Sequence, residues 1–274
     1  MSGGEYKRAR EAGVEGSQIV FSGVGKTGAE MKLALTEGVR QFNVESEEEL
    51  QVLSAIAHNM DKVAPITIRV NPDVDAKTHE KIATGKAENK FGIPISRARE
   101  VYARAASLPG IQVVGIDVHI GSQLTQLLPF EEAYKKLADL TEMLRSDGHE
   151  IKRLDLGGGL GINYSDNEKP IKLSIYSKLV HNFSKKLNCR IIFEPGRSIV
   201  GDTGILLSKI QYIKKGVKKD FIIIDAGMND FMRPALYDAF HKIIPIKKSK
   251  LKLKGTIEFV GPICESTCKF GSYK

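Results

Sequence analysis

The sequence predicts an α/β fold, with a parallel sheet and crossover helices up to about residue 202 and an all-β region from about residue 203. Three observations carry this. Short apolar runs near residues 19, 42, 66, 114, 154 and 190 alternate with longer amphipathic stretches, giving six β/α repeats. Alternation of that regularity is the mark of parallel strands joined by helices. Several strands end in clusters of glycine and polar residues, where a parallel sheet builds its binding sites. After Gly201 the alternation stops: Thr203 to Lys214, Phe221 to Ile224 and Thr256 to Val260 read as strands, with one helical piece, Pro234 to Phe240.

The elements follow in order. Residues 4–12 read as helix, and Ile19-Val20-Phe21 as a strand that ends at Ser22-Gly23-Val24-Gly25-Lys26-Thr27. The Gly-Lys-Thr is not a P-loop, because position 20 is Val where the first glycine of that spacing belongs. It reads instead as a loop capping the helix of Ala29 to Glu37. After Phe42-Asn43-Val44, the acids Glu47, Glu48 and Glu49 suit the positive N-terminal end of a helix and call for no chemical role. Ile66 to Val70 is a strand ending in Asn71-Pro72, and the polar loop of residues 73–94 is long enough for a lid. Helices over Ile95 to Ala106, Glu131 to Ser146 and Ser174 to Leu187 alternate with strands at Val113 to Val118, Leu154 to Leu156 and Cys189 to Phe193.

Composition removes other classes. A hydrophobic share of 42% and a charged share of 27% are those of a globular protein. No apolar stretch is long enough to span a bilayer, and Met1-Ser2-Gly3-Gly4 does not read as a signal peptide. Three cysteines, Cys189, Cys264 and Cys268, make no disulfide framework and point to a reducing, cytoplasmic setting. Cys264 and Cys268 lack a nearby Cys or His cluster, so no metal site is expected. The formal net charge of +8 invites a nucleic-acid reading. Its densest run, Lys242 to Lys254, alternates lysine with Ser and Leu and carries no aromatic stacking platforms, so it reads as a half-exposed strand.

The chemistry concentrates at two strand ends. Arg153-Leu154-Asp155-Leu156-Gly157-Gly158-Gly159-Leu160-Gly161 puts four glycines in five positions after a short strand. Glycine permits positive φ and close approach of a ligand, and successive free backbone N–H groups form an anion nest. The next strand ends in Glu194-Pro195-Gly196-Arg197, so an anion nest, an acid and a guanidinium reach one rim.

Five motifs occur in a fixed order: His119-Ile120-Gly121-Ser122-Gln123, Leu156-Gly157-Gly158-Gly159-Leu160, Glu194-Pro195-Gly196-Arg197, Arg233-Pro234-Ala235-Leu236-Tyr237 and Gly261-Pro262-Ile263-Cys264-Glu265-Ser266. Together they resemble the alanine-racemase-like barrel decarboxylases that use pyridoxal 5′-phosphate, in particular the branch acting on diaminopimelate. The resemblance implies an incomplete TIM-type (β/α)8 barrel of about six β/α units over residues 1–202, its first two strands missing, and the start of a C-terminal β-domain over 203–274. It implies that Gly157, Gly158, Gly159, Gly196 and Arg197 hold the cofactor phosphate, with Pro195 beside them. Glu194 would face the ring nitrogen, and His119 would stack on the ring with Ser122 near it. Arg69 is a weaker candidate, for which a surface ion pair is an equal reading. Arg197, Arg233, Tyr237 and Glu265 would bind substrate, a bidentate arginine suiting a carboxylate, and Cys264 would be the general acid. The implied reaction turns meso-2,6-diaminopimelate into L-lysine and CO2, at sites shared across a homodimer.

Two departures go with it. The family's covalent lysine lies on an early barrel strand, and this chain shows no matching segment; neither Lys26 nor Lys90 has the context. Cys268 stands where the family usually has aspartate, and a late cofactor-contacting tyrosine has no counterpart. The expectation is therefore a fragment, without full activity by itself. Two further readings stay open: an ornithine- or arginine-type decarboxylase, which the Arg233, Tyr237, Cys264 and Glu265 set disfavours, and a non-catalytic chain that pairs with an intact homologue.

Overall fold

The computed structural model describes residues 1–75, 90–165, 169–247 and 255–273. They form two compact units, one of Met1–Gly161 with Ile171–Ser198, the other of Ile162–Pro170 with Ile199–Lys274.

The first unit runs α1 (Gly3–Glu11), β1 (Val20–Phe21), α2 (Gly28–Thr36), β2 (Gln41–Val44), α3 (Glu47–Asn59), β3 (Ala64–Asn71), β4 (Ile93–Pro94), α4 (Ala98–Ser107), β5 (Ile111–Asp117), α5 (Leu128–Ser146), β6 (Arg153–Asp155), α6 (Leu173–Leu187) and β7 (Arg190–Ile192), and the division falls within the short α7 (Arg197–Val200). Helix starts follow local chemistry. Ser2 and Glu5 close a capping box on α1, Thr27 and Glu30 close one on α2, and the Ser46 hydroxyl accepts from Glu49 N–H at the start of α3. Gly-Lys-Thr is thus a helix entry, as read.

All strands pair in parallel in the order β1-β2-β3-β5-β6-β7, with β4 added beside β3. The pairing produces a curved half-barrel sheet. Its strands divide cleanly by alternation. Phe42, Val44, Ile66, Ile68, Val70, Ile116, Val118, Leu154 and Leu156 belong to the apolar core beneath the helices. The residues between them, Gln41, Asn43, Glu45, Thr67, Arg69, Asn71, Asp117 and Asp155, are buried too, although polar. A sheet covered on both faces hides even its polar side, and those groups must then satisfy one another.

The second unit contains β8 (Ile210–Lys214), β9 (Lys219–Ile224), α8 (Arg233–Tyr237), β10 (Thr256–Val260) and β11 (Lys269–Tyr273), in a sheet ordered β11-β10-β9-β8. Here the all-β expectation needs correction. The strand foreseen from Thr203 begins only at Ile210, and a further strand, β11, follows Glu265 and pairs antiparallel with β10. The sheet is also mixed: β9 and β10 are parallel, so the chain between them, including α8, is a crossover. A strand with one apolar residue in two reads weakly when its core is small, and this core holds Ile222, Ile224, Ala226 and Phe270. The lid expected within residues 73–94 falls largely, and the lysine-rich strand up to Lys254 partly, outside the described residues.

Candidate active site

Hydrogen bonds join much of the polar face of the first unit. At its centre is Asn43, fully buried on β2. Its Oδ1 accepts from Thr67 Oγ1 at 2.6 Å and from Gln41 Nε2 at 3.0 Å. Its Nδ2 points at Ser22 Oγ (3.0 Å), Asp155 Oδ2 (3.2 Å) and Glu194 Oε1 (3.3 Å). Ser22 Oγ in turn donates to Glu194 Oε1 at 2.7 Å. Both donors therefore fall on one oxygen of Glu194. Its Oε2 has no partner among the described residues and is open to a ligand's N–H.

Strand register explains the acids. Arg69 on β3 pairs with Asp117 on β5, and Asp117 pairs with Asp155 on β6, so the three side chains stand in one row. One carboxylate oxygen each from Asp117, Asp155 and Glu194 lies within 4.8 Å of the others. Burial, then the neighbouring Glu194, pushes Asp155 up to about 7. Asp117 is pushed well above the ordinary carboxylate range by burial and by both neighbouring acids. Arg69 does not offset them with an ion pair of its own, because its Nη1 donates to Glu45 at 2.8 Å and its Nη2 to the His119 carbonyl at 3.3 Å. This corrects the surface-pair reading of Arg69, which is 8% exposed.

The glycine loop lies over this cluster. Gly157 has φ +62°, and a Cβ there would come within 2.8 Å of His119 Nδ1. A Cβ on Gly158 would collide with the Glu194 carbonyl oxygen. The loop packs too tightly for any side chain at these positions. It is a poorer nest than the sequence implies, for Gly157 N–H donates to Asp155 Oδ1 at 3.1 Å and Gly158 N–H to His119 Nδ1 at 3.2 Å. Gly159 N–H takes no partner among the described residues. Burial, reinforced by the Arg69 charge, lowers His119 to about 4, so its imidazole is neutral near pH 7.

Arg197 Nη1 donates to Gln123 Oε1 at 3.1 Å, tying the Glu194-Pro195-Gly196-Arg197 turn to the loop after β5 that carries Ser122. The structure thus collects His119, Ser122, Gly157, Gly158, Gly159, Glu194, Pro195, Gly196 and Arg197 on the C-terminal ends of β5, β6 and β7. Such a rim can hold an anion at the glycines and a cation at the acids. An apolar cleft of about 860 Å³ opens beside Gly157 and Gly158, between Tyr176 on α6 and Phe193, and none of the three acids lines it.

The remaining predicted residues belong to the second unit. Arg233 Nε donates to His241 Nε2 at 3.2 Å, and its guanidinium stands 5.5 Å from the Tyr164 ring and 5.7 Å from the Tyr237 ring. Cys264 is exposed. Glu265 lies in the same turn, where its carbonyl accepts from Cys268 N–H.

Sequence reasoning missed Ser22, Asn43, Asp117, Asp155 and His241. The signal for the first four was present: each is a polar residue within or just after an apolar strand.

The family described as pyridoxal-dependent decarboxylase, pyridoxal binding domain, matches residues 1–201. The chain is 49% identical over 268 residues to a diaminopimelate decarboxylase of Vibrio cholerae, covering 97% of this chain and 64% of that one. It is 46% identical over 267 residues to one of Zymomonas mobilis, covering 97% and 63%. It also resembles a crystal structure of diaminopimelate decarboxylase from Helicobacter pylori complexed with L-lysine, with a TM-score of 0.93 and 42% identity, covering 100% of this chain and 69% of that one. The chain spans 63–66% of the length of the first curated relatives it matches.

Proposed function

The chain belongs to the family of pyridoxal-dependent decarboxylases, and on that premise we propose that it serves the conversion of meso-2,6-diaminopimelate to L-lysine and CO2. The observation that carries the proposal is the joining of Gly158 to Glu194: the glycine's missing side chain leaves the room in which the acid's backbone sits. A phosphate site and a carboxylate for a ring nitrogen are thereby held side by side. The residues present fit pyridoxal 5′-phosphate on three counts. Among the described residues the Gly159 N–H and Glu194 Oε2 take no partner, Arg197 follows Glu194 in the same turn, and the buried acids exceed the nearby cations.

When bound, the cofactor supplies an electron sink for the pair left on Cα as the carboxylate departs as CO2. The chain's residues do the rest. Gly159, Gly196 and Arg197 hold the phosphate. Glu194 holds a proton at the ring nitrogen, which keeps that sink open. His119, neutral and buried, can lie against the ring without repelling a cation there. Arg233 and Tyr237 receive the distal carboxylate of the substrate, and Glu265 its ammonium. Cys264 delivers the proton that replaces the carboxylate on Cα and recovers one from water.

The working form we infer is a homodimer in the cytoplasm, to which three unpaired cysteines are suited. Among the described residues no helix is long and apolar enough to cross a membrane.

The test is an absorbance titration of pyridoxal phosphate against the native chain and Gly158→Asp, followed by CO2 release from meso-diaminopimelate and from ornithine. The reading expects saturable binding that Gly158→Asp weakens at least tenfold, and, with no counterpart to the family's covalent lysine, slow release that favours diaminopimelate over ornithine. Equal binding by both chains would remove the cofactor site, and preference for ornithine would remove the substrate assignment. Light scattering of the loaded chain tests the dimer.

A further inference from the structure

Asp117 is the buried group that the proposed chemistry leaves unused. It is 1% exposed, and its Oδ1 is without a hydrogen-bond partner. An ionised carboxylate in that condition is costly, since nothing replaces the water it has lost. In strand register Asp117 stands between Arg69 and Asp155. Arg69 is ion-paired with Glu45, so its charge only partly offsets the acids around Asp117. On the other side are Asp155 and Glu194, with oxygens within 4.8 Å. The oxygens of Asp155 are themselves engaged, Oδ1 by Gly157 N–H and Oδ2 by Asn43. Adding a third full charge here serves no donor. A proton would serve: the Asp117 hydroxyl could then donate to a neighbouring acid, removing both the orphaned oxygen and the repulsion.

Resting on the pyridoxal phosphate reading, we propose that Asp117 is a positioning residue that stores a proton behind Asp155 and Glu194 and yields it when a cationic ring nitrogen arrives. The acids that face the arriving cation can then sit together in the empty site without mutual repulsion driving them apart. The groups bearing on Asp117 are Asp155 from β6, Glu194 after β7, Arg69 from β3, Glu45 after β2 and the Tyr102 phenol from α4. His119 adds no charge near neutral pH. The raised affinity of both Asp117 and Asp155 for protons agrees with a shared store. A cation bound beside the acids favours their ionised forms, so binding releases protons and tightens as pH rises through the region around 7.

Proton release is countable by calorimetry of ligand binding in buffers of different ionisation enthalpy. Two ligands are compared at pH 7: pyridoxal phosphate, and its analogue with carbon in place of the ring nitrogen. The analogue shares the phosphate, whose own titration it therefore subtracts. The native chain is expected to release more protons with pyridoxal phosphate than with the analogue. Asp117→Asn, which keeps the shape and cannot give up a proton, should halve that difference or better while binding the analogue within about two-fold of native. Equal release for both ligands by the native chain overturns the proposal without need of any variant. An unchanged difference in a folded Asp117→Asn removes Asp117 from the role and leaves the cofactor reading standing. Failure of the native chain to bind either ligand overturns both, because a proton stored for a ring nitrogen has no use without the ring.

Discussion

Ser22, just beyond β1, donates a hydrogen bond of 2.7 Å to Glu194, just beyond β7. These are the two edge strands of the parallel sheet, and no ladder joins them. The contact is therefore evidence of curvature. The sheet twists and coils far enough that its first and last strands bring their C-terminal ends within hydrogen-bonding reach. The acid assigned to the ring nitrogen is thus oriented by the opposite edge of the sheet, 172 residues away in sequence.

Ser22→Ala should cost about 1.5–3 kcal/mol, the usual loss for a hydrogen bond to a charged group. Urea unfolding would read this as a lower midpoint at unchanged slope. Pyridoxal phosphate affinity should fall with it, because Glu194 keeps only Asn43 as a donor. Full retention of both stability and affinity would show that the bond neither stabilises the sheet nor orients the acid.

The sequence makes the parallel α/β part legible because each strand carries an apolar run with the right period. It also makes Gly157–Gly159 and Glu194 legible, because a run of glycines and a Pro-Gly turn have few other uses. What it conceals is the polar face. Asn43 reads as a single polar interruption in Phe42-Asn43-Val44, and only the register that sets it against Thr67, with the curvature that brings Asp155 and Glu194 to it, makes it a hub. Asp117 and Asp155 look like ordinary strand-end acids until β5 and β6 pair them directly. In the second unit the parallel pairing of β9 and β10 was hidden for a related reason: α8 is only Arg233–Tyr237, too short to announce a crossover.

Gly158→Ala and Gly196→Ala make a contrasting pair. A methyl on Gly158 meets the Glu194 carbonyl, whereas nothing lies within 4 Å of a Cβ on Gly196. The first should cost about 1–3 kcal/mol by overpacking and displace Glu194. The second should stay within about 0.5 kcal/mol of native stability. Thermal unfolding of the two side by side decides it, and equal losses would mean that loop entropy and not the collision governs.

Lys26 is the residue that a P-loop reading would place on a phosphate. Its Nζ instead donates to the Gly23 and Asn43 carbonyls and to Glu49, with the side chain fully buried. Lys26→Met should cost about 3–5 kcal/mol, because it strands the Glu49 carboxylate. The Glu49 carboxyl is already raised above its ordinary value by burial. A raised folded value means that stability declines as pH climbs through it, so the variant should be less impaired at pH 5 than at pH 8. Adding Glu49→Gln should recover part of the loss at pH 8, and strict additivity of the two changes would exclude the pairing.

His119 and Asp155 pull stability in opposite directions over one range of pH. The imidazole is held down to about 4 from an ordinary 6.5. Below 6.5 the unfolded chain takes up a proton that the folded chain refuses, so stability is lost as pH falls from 6.5 towards 4. Asp155 is raised to about 7 from 3.8, so the folded chain holds the extra proton and stability is gained as pH falls through 7. The two slopes largely cancel in the native protein. His119→Gln removes one of them and should improve the change in stability from pH 7 to pH 4.5 by roughly 2–3 kcal/mol. Asp155→Asn removes the other and should steepen acid destabilisation. Denaturant midpoints at the two pH values measure both, and parallel pH profiles for native and His119→Gln chains would mean that His119 titrates in the folded protein as freely as it does in the unfolded one.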